Sequence, residues 1–104
     1  MKSKGEKLWL SDVASLGCVA CRNMGFGESP AEIHHIRHGS GMAQRASHFD
    51  VIPLCPPHHR ASYATGYHAD RKRWQIIHGT ECELLEQTKR EVTTMRQNRI
   101  GGAA

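Results

Sequence analysis

The apolar positions of this chain change period along its length, and the changes mark out its elements. In Glu6–Leu16, Leu8, Trp9, Val13 and Leu16 share one helical face, and Gly17 stands where a helix would stop. Residues 1–5 carry no such pattern and are expected to fray. Cys18–Cys21 reads as a tight knuckle, followed by a Gly- and Ser-containing loop over Asn23–Pro30. Ala31–Arg37 and Phe49–Leu54 read as short strands, joined by a loop over His38–Ser47. Pro56-Pro57 suits the first turn of a helix, which is expected to run to about Ala64. After a turn at Thr65-Gly66, Asp70 can cap a helix over Arg71–His78 that Gly79 stops. Thr80-Glu81-Cys82-Glu83 has the form of a capping box. It opens a last helix with Leu84, Thr88, Val92 and Met95 on one face. The order predicts an α+β chain. We expect one domain over residues 1–104, with its core at about 16–65 and a helical C-terminal addition at about 66–100.

Composition narrows this picture. Apolar residues make up 38%, with two each of Trp, Phe and Tyr. Such a thin core in 104 residues suits a metal staple. The only early apolar run, Leu8-Trp9-Leu10, is followed by Ser11 and Asp12, so no signal peptide is expected, and no stretch approaches membrane-spanning length. The expectation is a cytoplasmic chain with reduced thiols and no membrane partner, in which paired cysteines bind metal rather than each other.

Cys18, Cys21, Cys55 and His58 have the spacing of a structural zinc site, a C-x2-C followed by a C-x2-H. Cys82, alone inside a helix, reads as a small buried hydrophobe. His34, His35 and His59 are then left over. On a strand His34 and His35 point to opposite faces, so one can meet a metal while the other enters a cleft. Phosphodiester hydrolysis needs a base for water, a cation for the developing charge and positive groups for the backbone. Histidine titrates near neutrality and can be that base. His78, before Gly79, is explained as a cation at a helix C-terminus.

The net charge is +4, and it is concentrated. Residues 35–60 carry Arg37, Arg45 and Arg60 against Asp50 alone. A basic surface around a metal site suits a polyanion. Arg37, Arg45, Arg60, Arg71 and Arg73 are therefore candidate nucleic-acid contacts, although the run Arg71–Arg73 also reads as a solvated helix face.

The order C-x2-C, His34-His35-Ile36, a loop, then Leu54-Cys55-x2-His58-His59 resembles the HNH endonucleases, whose core is a treble-clef ββα-metal unit. It is most similar to phage recombination-enhancement proteins, described as RecA-dependent nucleases. The resemblance covers residues 16–90. It implies His35 as general base, His34 and His59 as ligands of a catalytic divalent cation, and His68 as a further ligand. The middle HNH position falls on His48 or Asp50. A structural zinc, a DNA substrate (single- or double-stranded) and a RecA-type filament as partner are also implied, as are 5′-phosphate and 3′-hydroxyl ends. Two features depart from the pattern. The usual first-strand Asp is His34, which suits Zn²⁺, Mn²⁺ or Ni²⁺ better than Mg²⁺. The long basic extension of the phage proteins is replaced by Met1–Lys7. The alternative is a non-catalytic zinc-finger module that binds nucleic acid, which accounts for the zinc and the charge but not for the extra histidines.

Overall fold

Ser3 opens the first helix. In the computed structural model, which describes residues 2–36 and 47–101, Ser3 Oγ accepts from the Glu6 N–H and Glu6 answers on the Ser3 N–H. This reciprocal cap starts α1 at Lys4 and carries it to Ser15, so the segment expected to fray is pinned. Gly17 ends it with a left-handed φ of 79°. The buried face of α1 is shifted from the expected one: Leu8 is exposed, while Trp9, Leu10, Val13 and Leu16 pack inward.

The knuckle is a short helix, α2, over Val19–Asn23. Two strands follow, β1 over Glu32–His35 and β2 over Val51–Leu54. They pair antiparallel, with His34 opposite Ile52 and His35 opposite Val51. Then come α3 (Pro56–His59), α4 (Arg71–His78) and α5 (Glu81–Gly101). The expected caps form at both later helices: Asp70 accepts from the Arg73 N–H, and Thr80 and Glu83 cap each other's backbone.

β2 is buried along its whole length and divides the core. Ile52 and Leu54 join Val19, Ala20, Tyr67, Trp74, Leu84 and Leu85 around the cysteines. Val51 joins Val13 and Val92 on the other side. The expected face of α5 holds, with Leu84, Thr88 and Val92 buried, and α5 is thereby built into the same core as the knuckle. Ion pairs tie it down further: Arg22 to Glu91, Lys89 to Asp50, and Arg96 and Arg99 to the buried Asp12. Burial alone would push the Asp12 carboxyl up, but the two guanidiniums outweigh it and hold the group below its usual range. Cys82 falls on the exposed side of α5, contrary to expectation, because the buried stripe runs through Leu84 and Leu85. Among the described residues, no helix is long and apolar enough to cross a membrane.

α3 stops at His59 instead of reaching Ala64. Arg60 is extended, at φ −80° and ψ 145°. The chain then doubles back: Thr65 Oγ1 donates to the Pro57 carbonyl, the Tyr67 N–H to His58 and the His68 N–H to His59. The close approach is made at Gly66, where any Cβ would overlap the Arg60 carbonyl oxygen. Gly66→Ala is therefore expected to cost about 1–3 kcal/mol, as overpacked sites do. A thermal melt of the variant checks this, and an unchanged midpoint would contradict it.

Candidate metal centre

Among the described residues two sets of metal-competent side chains form, and α3 contributes to both, His58 to one and His59 to the other. The first is Cys18, Cys21, Cys55 and His58, whose donor atoms all lie within 4.8 Å of one another. The knuckle shapes its first half, with the Cys21 N–H donating to Cys18 Sγ at 3.4 Å. The turn from β2 into α3 shapes the second, with the His58 N–H on the Cys55 carbonyl at 3.0 Å. The spacings test the fit. Zinc with ordinary Zn–S and Zn–N bonds at tetrahedral angles needs S···S edges of about 3.8 Å and S···N edges of about 3.6 Å. Cys21 Sγ to Cys55 Sγ is 3.8 Å. His58 Nδ1 stands 3.7, 3.5 and 3.2 Å from the sulfurs of Cys18, Cys21 and Cys55. These four side chains could hold a metal ion, and the geometry suits zinc.

The second set is His34, His59 and His68, again within 4.8 Å of one another. The doubling back after α3 brings in His68, which no local pattern in the sequence could place. Its ring centroid lies 5.0 Å from that of His59 and 5.2 Å from that of His34. His34 is only 3% exposed, whereas His68 is exposed, so one side of the set is open. The opening leads to a cavity of about 350 Å³ bordered by His34, His35, Tyr67, His68, Arg71 and Glu81. Were an ion held by these three imidazoles, the open side would leave room at it for a further group.

Two carboxylates that sequence reasoning missed hold this set. Glu81 Oε2 is 2.8 Å from His34 Nε2, and Glu32 Oε1 is 3.0 Å from His59 Nδ1. Glu32 was within reach of the pattern, since it lies two residues before His34 on the same strand face. Nothing local marks Glu81. Burial pushes His34 below the ordinary histidine range, with Glu81 pulling the other way. Arg60 and His59 together draw the Glu32 carboxyl down to about 2.

His35 sits on the other face of β1. Its Nε2 is 3.0 Å from Nδ1 of His48, one of the two residues considered for the middle position. Asp50 accepts from Lys89. Burial first, then the charges of His48 and Lys2, lower the His35 pKa.

The candidate phosphate contacts scatter. Arg71 borders the cavity. Arg60 is engaged by the Glu32 carboxylate, through both Nε and Nη2. Arg73 lines a different cavity, beside His58 and Trp74. Arg37 and Arg45 lie outside the described residues. His78 stands in the last turn of α4 before Gly79, as expected, and packs on the rings of Trp74 and His58; burial, followed by the charge of His58, lowers its pKa.

A small α+β chain with two such sets has the side chains to hold metal ions. More particularly, residues 4–93 match the family described as recombination enhancement, RecA-dependent nuclease, and the chain belongs to that family. The family's description makes the protein a nuclease that acts in recombination. No curated protein matches the chain.

Proposed function

We propose that the protein is a metal-dependent endonuclease of the HNH type, built on a treble-clef ββα-metal core, that hydrolyses DNA phosphodiester bonds. The observation that carries this reading is the second histidine set, open on one side, with the His35–His48 pair beside it. A zinc-finger module has no use for either.

In this reading Cys18, Cys21, Cys55 and His58 hold a structural zinc, and His34, His59 and His68 hold the catalytic cation. An all-imidazole set favours Zn²⁺, Mn²⁺ or Ni²⁺ over Mg²⁺. When bound, the cation supplies positive charge against the phosphoryl oxygens and the departing 3′ oxygen. His35 takes the proton from the attacking water. Its Nε2 is engaged by His48, so Nδ1 is the nitrogen left for that proton. A base must be neutral to act, and burial of His35 favours the neutral ring. Arg71, at the rim of the cavity, contacts the phosphate backbone. The family's dependence on RecA makes a recombinase filament on DNA the natural setting for cleavage.

The test is cleavage of supercoiled plasmid and of single-stranded DNA, with and without a recombinase filament, in Mg²⁺, Mn²⁺, Ni²⁺ and Zn²⁺ in turn. Nicking that a chelator abolishes is expected. Absence of cleavage in every metal, with the filament present, would return the protein to the class of binding modules.

A further inference from the structure

We infer that Glu81, the first residue of α5, is a positioning residue for the histidine set, and that it selects which nitrogen of His34 a cation meets. This rests on the reading of that set as a cation site.

His34 Nε2 lies 2.8 Å from Glu81 Oε2. A neutral imidazole carries one N–H and one free lone pair. An Nε2–H donated to the carboxylate leaves the lone pair on Nδ1. A carboxylate behind a ligating histidine fixes both its tautomer and its tilt. His34 needs such a partner more than an exposed residue would, because it is 3% exposed and surrounded by rings. Those of His59, Tyr67 and His68 stand 5.2, 4.5 and 5.2 Å from it. Glu81 is not itself one of the donors in the group whose atoms all lie within 4.8 Å, which consists of the three imidazoles. Its place is that of a support, matched on the other side by Glu32 against His59.

The support is rigid. Thr80 and Glu83 cap each other just around Glu81, and the Glu81 N–H donates to Gln75 Oε1 at 3.4 Å. Leu84 and Leu85 then anchor the same turn in the core. Groups that orient ligands work best from packed elements of this kind. The helical C-terminal segment, expected from sequence to be an addition to the core, thus becomes part of the site.

The experiment titrates Zn²⁺ and Co²⁺ into the full chain against a chromophoric chelator and reads the stoichiometry and affinity of the second equivalent. Wild type, Glu81→Ala and Glu81→Gln are compared, each checked for folding by its thermal melt. Two equivalents are expected for the wild type. Glu81→Ala should weaken the second by about 10–100-fold, the usual effect of losing such a partner. Glu81→Gln should lose far less, because its amide oxygen accepts the same N–H. A Glu81→Ala chain that binds the second equivalent as tightly as wild type overturns the inference and leaves the proposed cation site standing. Equal losses in Gln and Ala also overturn it, since the carboxylate would then be a ligand. A wild type that takes up only one equivalent removes the cation site and this inference together.

Discussion

His35→Ala is expected to abolish DNA cleavage while leaving the fold, both metal equivalents and DNA binding in place. The expected loss is about 10²–10⁴-fold, the range over which a positioned base acts. The side effects should be small for structural reasons. His35 is partly exposed on the strand face away from His34, and it belongs to neither core cluster. Truncating it opens no buried cavity, so the stability change should stay within about 0.5 kcal/mol. His48→Ala removes the orienting contact but not the base, so its loss should be smaller, and His48→Asn, whose amide oxygen can still accept the Nε2–H of His35, should recover part of it. Asp50→Ala serves as the contrast, because its carboxylate accepts from Lys89. Single-turnover cleavage of one labelled duplex by all four variants settles the matter. Undiminished cleavage by His35→Ala would remove it as the base. A large loss in Asp50→Ala with none in His48→Ala would move the middle position to Asp50.

What was legible in the sequence was the part that local spacing controls. A C-x2-C places two sulfurs on one turn whatever surrounds it, and Cys18 and Cys21 are found there. Strand alternation separates His34 from His35, and the two rings do meet different partners. The Asp70 and Thr80 caps follow from side chains within three residues of the backbone they satisfy. Ser3 and Glu6 carry the same signal, but they stand ahead of the first apolar position of the helix, so the apolar pattern alone does not reveal them. The rest depends on contacts between distant segments. The end of α3 is decided by Gly66 against Arg60, and Pro56-Pro57 says only where a helix may start. Glu81 meets His34 across 47 positions of sequence, and no periodicity reaches so far. Arg60 looked like a free cation in a basic stretch, and the fold turns it onto Glu32. Leu8 and Leu10 are equally apolar and two positions apart on α1. Which of them faces inward depends on where β2 and α5 lie.

Removing the metal from the cysteine set is expected to unfold the chain, and Cys21→Ser should do the same without a chelator. The four side chains join α2 to the β2–α3 turn, and Cys18, Cys21 and Cys55 are 0%, 8% and 5% exposed. They sit in the larger core cluster, so losing the junction separates Val19 and Ala20 from Ile52 and Leu54. Without a cation the set is poor at holding itself. Burial, followed by the adjacent thiols, pushes the Cys55 thiol up to about 12, so packed neutral thiols replace charged ligands. Structural zinc in small domains contributes about 10–16 kcal/mol of binding energy that is also folding energy, more than a domain of this size has in reserve. Because the thiols must release protons to bind, acid should loosen the metal and neutral pH should keep it. Circular dichroism melts with and without a strong chelator, with His34→Ala as the control, provide the measurement. The chelated chain and Cys21→Ser should lose a cooperative transition that His34→Ala retains at a lower midpoint, since that variant removes a buried ring but leaves the cysteine set whole. A chelated wild type that melts at an unchanged temperature would show that the apolar core holds the fold alone, and the cysteine set would lose its structural role.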